Sequence, residues 1–404
     1  MKNGVQKGTT VVNKIQKAIK YNRLLDLKKM LKRKSHFLLG PRMTGKSWLI
    51  KETVSADALV FDLLDDDVYL RLLKRPRQLG EEIDQYDKQN GKNSLVVIDE
   101  IQKLPALLDE VHRLIEKKSK KFLLTGSSAR KLKRGGANLL AGRARSAYLF
   151  PLTSLEIPQF DLEVYLNCGG LPSIYNAEDA WDNLRDYVNT YLKEEIQAEA
   201  IVRRIDHFAH FIDVIGLSSG KELNISSIAS DSGVPARTVS EFILVLKDTL
   251  LAFELEPFRK SIIRKATTKS KLYLFDVGVA NFLARRRNVL PKSDAFGDCF
   301  EHYVIQEIKA ILSYGGSDEV LSYWRSKDFE VDLIIGNKYA IEIKSTEQVQ
   351  ERHLKGLRAL REEKQIESYH VVSRDPIRRK IDFVEVWHIN DFIRFLYNRL
   401  GCCL

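Results

Sequence analysis

Residues 36–50 read HFLLGPRMTGKSWLI: a short apolar strand, a Gly/Pro turn, then the start of a helix. The loop Gly40-Pro41-Arg42-Met43-Thr44-Gly45-Lys46-Ser47 fits G-x-x-x-x-G-K-[ST]. Glycines at both ends let backbone N–H groups turn inward around phosphate oxygens, beside the positive end of the following helix. Lys46 then reaches the β- and γ-phosphates and Ser47 ligands Mg²⁺. ATP and Mg²⁺ are the expected ligands, and the fold class is α/β around a parallel sheet.

The other half of such a site comes about fifty residues later. Leu95-Val96-Val97-Ile98 is a continuous apolar run, as expected of a parallel strand buried on both faces, and it ends in Asp99-Glu100. An Asp there holds the Mg²⁺ water shell, and the adjacent Glu polarises the attacking water. A third strand, Lys121 to Leu124, leads to Thr125 and Ser127, where a sheet brings small hydroxyls beside the γ-phosphate. Either one senses that phosphate or only makes the turn. Arg130, Arg143 and Arg145 follow, and a charge-stabilising arginine is expected among them. Arg143 is the one assigned to the ATP site, in cis or from a neighbouring subunit of a homo-oligomer.

A length of 404 residues predicts two or three domains. No apolar run approaches the ~18 residues of a membrane span, and the start MKNGVQKG has no secretory apolar stretch. Cysteines 168, 299, 402 and 403 have neither zinc spacing nor the density of a disulfide scaffold. The expected setting is a reducing cytoplasm with no membrane contact.

The net charge of +11 is unevenly spread: residues 1–35 contribute +10 and 203–295 contribute +5, while 36–202 and 296–404 each carry −2. Within the arm, Val12, Ile15, Ile19, Leu24, Leu25, Leu27, Met30 and Leu31 recur with roughly helical spacing, with lysines and arginines mostly on the other face. That face either contacts phosphates or lies solvated on the first domain. Further on, residues 224–235 and 236–250 read as helix, Gly turn, helix, followed by a strand at 251–255: the helix-turn-helix grammar. Arg259, Lys260, Arg264, Lys265, Lys269 and Lys271 come next with no intervening acid, as a basic wing or a solvated loop. DNA contact is expected through residues 1–35 and 259–271.

Near the end, Glu301 opens a helix, Asp332 lies in EVDLII, and Glu342 and Lys344 alternate in YAIEIK, hence on one face. Such carboxylates and a lysine make a hydrolytic metal site. In it Asp332 and Glu342 bind Mg²⁺, Glu301 completes the shell and Lys344 orients water. An exposed strand with alternating charge has the same E-x-K triplet.

The order of these motifs resembles the bacterial and archaeal AAA-type ATPases carrying a C-terminal DUF4143 domain. Its marks are GPRMTGKS, VVIDEIQKLPALLDEVHRLI, LLTGSSARKL with LAGRA, FPLTSLE, GGLP at 169–172 and EVDLIIGNKYAIEIKS. The resemblance implies a P-loop ATPase core, a winged-helix-like module and a PD-(D/E)xK nuclease-like domain. It carries over Lys46, Ser47, Asp99 and Glu100 as nucleotide residues, with Ser47 in place of the usual threonine. It maps the nuclease motif onto Glu301, Asp332, Glu342 and Lys344. The expected division is an arm at 1–35, the ATPase core at 36–160, a helical lid at 161–215, the winged helix at 216–290 and a restriction-endonuclease-like domain at 291–404. The expected function is ATP hydrolysis controlling a Mg²⁺-dependent nuclease on DNA. The alternative is a nucleotide-regulated DNA-binding or signalling ATPase with an inactive nuclease-like domain.

Overall fold

A computed structural model describes residues 20–54, 58–90, 95–128, 140, 142–192 and 205–401. Arg130 and the arm as far as residue 19 lie outside the described residues.

The chain opens with α1 (Leu27–Arg33), β1 (Ser35–Leu39), α2 (Lys46–Thr53), β2 (Leu59–Asp62), α3 (Asp66–Lys74), α4 (Gln78–Asn90) and β3 (Val96–Asp99). It continues with α5 (Leu107–Lys118), β4 (Phe122–Gly126) and β5 (Ala144–Tyr148). The strands form one parallel sheet in the order β2-β3-β4-β1-β5. Every residue of β1 and β4 is buried, because helices cover both faces. Phe37 and Leu39 pack with Val111 and Leu114 of α5, while Leu38, Val97 and Leu123 pack with Leu27 and Leu31 of α1. Among the arm's described residues, 20–26 are not helical and the apolar spacing gives a helix at α1. There Lys28, Lys29, Lys32 and Arg33 face solvent.

The middle and end of the chain supply α6 (Leu162–Cys168), α7 (Ala180–Asp186), α8 (Ile205–Ser218), β6 (Lys221–Glu222), α9 (Ile225–Ser232), α10 (Ala236–Asp248), β7 (Ala252–Pro257), β8 (Lys271–Leu274) and α11 (Val277–Leu283). Then follow α12 (Asp294–Tyr314), β9 (Leu321–Arg325), β10 (Glu330–Ile335), β11 (Tyr339–Lys344), α13 (Lys355–Arg361), β12 (Ser368–Ser373), β13 (Arg379–Ile381), β14 (Val384–His388) and α14 (Ile389–Gly401). Helices α9 and α10, with Gly233 left-handed between them, and the β6-β8-β7 strands make the winged-helix unit expected from the sequence. Its sheet does not end there. Strand β7 pairs in parallel with β9, giving one nine-stranded sheet, β13-β14-β12-β11-β10-β9-β7-β8-β6. The expected boundary at residue 290 is therefore crossed by hydrogen bonds of the sheet.

Two buried carboxyls tie the parts together. Asp276 caps α11 by accepting the Val279 N–H at 3.0 Å, and also accepts the Gly170 N–H at 2.8 Å. A Cβ on Gly169 would lie 2.0 Å from the Asp276 carboxylate, so the first GGLP glycine is required by close packing. Glu307, in α12, accepts from Ser154 N–H at 2.7 Å and Ser154 Oγ at 3.0 Å. Burial pushes its pKa up to about 8, partly offset by those two donors. With the folded value raised, the folded state keeps a proton that the unfolded state loses. Stability therefore falls as pH rises from about 4.5 to about 8. Glu307→Gln should remove that dependence and stabilise the protein near pH 7 by on the order of 3 kcal/mol. Thermal melts at pH 5 and pH 8 check this, and a variant whose melting point tracks the wild type at both would refute it.

Candidate functional site

The parallel sheet sets Leu39 opposite Gly126 and Asp62 opposite Asp99, so the phosphate loop, Asp99-Glu100 and Thr125–Ser127 share its carboxyl edge. The loop leaves β1 at Gly40, where a Cβ would lie 2.4 Å from the Leu149 carbonyl. It enters α2 through Gly45, whose φ of 91° is left-handed, and no side chain caps that helix N-terminus. A helix N-terminus without a side-chain cap is a ready site for an anion. Met43 also has positive φ, 64°. Lys46 is 7% exposed and its Nζ donates to the carbonyls of Gly40 (2.7 Å) and Pro41 (3.0 Å), folding the lysine onto its own loop. Thr44 Oγ1 donates to Pro41 O at 2.9 Å.

Ser47 Oγ donates to Asp99 Oδ2 at 3.5 Å, joining the two expected magnesium residues. Thr125 Oγ1 donates to Asp99 Oδ1 and accepts the Glu100 N–H at 3.2 Å. Glu100 has φ 56° and ψ 44°, a strained turn for a non-glycine residue. Gln102 Nε2 donates both to the Glu100 carboxylate and to Ser127 Oγ, the latter at 3.2 Å. Gln102 escapes a motif search because its role rests on reaching two partners at once. The DEIQ string is its only signal.

Arg143 does not join this group. Ala144 pairs with Ser35, at the amino end of β1, so Arg143 stands at the edge of the sheet away from the phosphate loop. It is bonded there to Glu116 near the end of α5. The assignment of Arg143 to its own chain's ATP site is therefore withdrawn, and only a neighbouring subunit's site remains open to it.

The C-terminal residues also meet. Beyond the Leu333–Ile341 pair, β10 and β11 separate, and the β9–β10 register shifts between Val331 and Ile334. Such irregularities re-aim side chains beside sites. Asp332 uses this space to accept the Ile343 N–H at 2.7 Å. Lys344 Nζ stands between Asp332 (3.2 Å) and Glu342 (2.7 Å). Glu301 accepts Tyr273 OH at 2.7 Å and Lys271 Nζ at 3.1 Å, and Lys271 also pairs with Glu330 at 2.7 Å. Burial and then the Asp332 charge raise the pKa of both Glu301 and Glu342. Burial alone would lower that of Lys344, yet Asp332 and Glu342 drive it up.

In type, the donors suit a hard divalent cation. They are all carboxylate oxygens, and Glu342 Oε2 is buried with no hydrogen-bond partner. Among the described residues, however, no three His, Cys, Asp or Glu close around one metal position. Two lysines now occupy the carboxylates instead.

The basic wing is partly consumed. Glu363 accepts the N–H groups of Ile262, Ile263 and Arg264 and the Ser261 hydroxyl. Arg264 binds the Ala359 carbonyl at 2.9 Å and Glu362 at 2.5 Å, and Lys271 is buried. Of the six cations in the stretch expected to contact DNA, Arg259, Lys260, Lys265 and Lys269 are exposed, beside the exposed Ile262 and Ile263. No helix among the described residues is long and apolar enough to cross a membrane.

Residues 32–157 match the family described as AAA domain. Residues 159–289 match a domain of unknown function, DUF8612, and residues 296–392 another, DUF4143. An uncharacterized protein of Methanocaldococcus jannaschii is 24% identical over 365 residues, covering 81% of this chain and 78% of its own length. The chain thus carries an AAA domain, the fold of nucleotide-binding ATPases, followed by a C-terminal DUF4143 domain.

Proposed function

We propose that this chain, an AAA domain joined to a DUF4143 domain, hydrolyses Mg²⁺-bound ATP and uses that cycle to control a Mg²⁺-dependent nuclease site acting on DNA. The observation that carries the reading is the Ser47–Asp99–Thr125–Glu100 chain of hydrogen bonds beside the phosphate loop. Lys46 exchanges the Gly40 and Pro41 carbonyls for β- and γ-phosphate oxygens. Ser47 and Asp99 hold Mg²⁺, Gln102 orients Glu100 toward the attacking water, and Thr125 and Ser127 respond to the γ-phosphate. Arg143 serves a neighbouring subunit in a homo-oligomer.

At the second site Asp332, Glu342 and Glu301 would hold Mg²⁺, which supplies Lewis acidity and a more acidic bound water. Lys344 then orients water against a phosphodiester. Arg259, Lys260, Lys265 and Lys269 track the phosphates, together with the basic arm.

The rival reading is a nucleotide-regulated DNA-binding or signalling ATPase whose nuclease-like domain is inactive. The ammonium groups of Lys271 and Lys344, already paired with Glu301, Asp332 and Glu342, favour it. Supercoiled plasmid incubated with Mg²⁺ or Mn²⁺, with and without ATP, separates the two. Cleavage supports control of a nuclease, and intact plasmid under every nucleotide condition selects the rival.

A further inference from the structure

Arg23 belongs to none of the motifs. Its side chain is 2% exposed, and its bonds run in four directions. Nε donates to Glu156 Oε1 at 3.0 Å and Nη1 to the Thr44 carbonyl at 3.0 Å. Nη2 donates to the Phe150 carbonyl at 2.6 Å and to the Tyr314 hydroxyl at 3.0 Å. Glu156 is itself 0% exposed and also accepts the Leu24 and Thr153 N–H groups. A buried ion pair is costly to desolvate and persists only with such complete bonding. This one joins the phosphate loop, the end of the parallel sheet, a capping turn and α12.

The Thr44 carbonyl and the Gly45 N–H belong to one planar trans peptide, so they point in opposite directions. Holding the carbonyl on Arg23 turns the Gly45 N–H to the loop's other side, where a phosphate oxygen is expected. Gly45, at φ 91°, offers little resistance of its own to rotation of that peptide.

We infer that Arg23 is a positioning residue of the phosphate loop, and that Tyr314 at the end of α12 sets how firmly Arg23 holds it. The inference rests on the nucleotide reading above. It also gives the two sites a shared element: Glu301 lies on the same helix, about 20 Å from Tyr314 at 1.5 Å per residue. A shift of α12 thereby reaches both the carboxylate cluster and the phosphate loop.

Binding of a fluorescent N-methylanthraniloyl ATP and steady-state ATP turnover, on the full chain, test this. Tyr314→Phe keeps the ring that packs edge-on against Phe150 at 5.7 Å and removes only the hydroxyl. Its Kd and KM for ATP should rise about fivefold with kcat within about twofold, since the lost hydroxyl accepts from the charged Arg23 as well as from the Phe150 N–H at 3.1 Å. Arg23→Lys should raise both by at least about tenfold, because one ammonium cannot replace the four-way fork. A purely structural role would lower the melting temperature and leave Kd and KM alone. Folded Tyr314→Phe with wild-type Kd and KM overturns the inference, whatever Arg23→Lys does. Wild-type protein that fails to bind the probe overturns the nucleotide reading itself, which is a different result.

Discussion

Glu100→Gln is expected to bind ATP and to hydrolyse it about 10²–10⁴-fold more slowly, the usual contribution of a positioned proton acceptor. Glu100 is held through its backbone and through one side-chain bond. Its backbone is left-handed at φ 56°, the Thr125 hydroxyl fixes its amide at 3.2 Å, and Gln102 bonds its Oε2. Glutamine has nearly the same shape, so phosphate-loop binding should persist while water activation is lost. Single-turnover hydrolysis beside equilibrium binding distinguishes the two. Turnover at the wild-type rate in this variant would remove Glu100 from the chemistry and leave Asp99 to be tested in its place.

Asp332→Ala should bring any metal-dependent plasmid cleavage down by at least about 10²-fold, the scale of losing several kcal/mol of metal-based charge stabilisation. Asp332 accepts the Ile343 N–H and faces Lys344 Nζ, so its loss disturbs the cluster at its centre. Mn²⁺ binding by calorimetry gives a readout independent of cleavage. Heat that is present in the wild type and absent in Asp332→Ala supports a metal site. Cleavage undiminished by the substitution would assign the activity elsewhere, and absence of both signals in the wild type would select the inactive-domain reading.

The parts of the nucleotide site that can be read from the chain alone are those made by consecutive residues. The run from Phe37 to Ser47 encodes strand, turn and helix start in order, and Val96 to Glu100 encodes a buried strand with its acidic end. Arg23, Glu156 and Tyr314 are different. Glu156 and Tyr314 lie 133 and 291 positions from Arg23 along the chain, and the three meet only in the folded protein. In the sequence Arg23 is one more cation in a basic arm. The wing misleads for the same reason. Charge counting sees six cations in 259–271, but Glu362 and Glu363 neutralise or anchor part of the loop and Glu301 and Glu330 take Lys271. Arg143 fails on direction rather than charge, since it sits at the amino edge of β5 while the phosphate loop leaves the carboxyl edge of β1.

Phosphate release from Mg²⁺-bound ATP by wild-type protein and by Lys46→Ala, assayed side by side, tests the central claim most directly. Lys46 is buried against the loop it closes and supplies the cation for the β- and γ-phosphates. The expected result is turnover in the wild type and its loss in Lys46→Ala; equal rates in the two proteins would contradict a phosphate-loop ATPase.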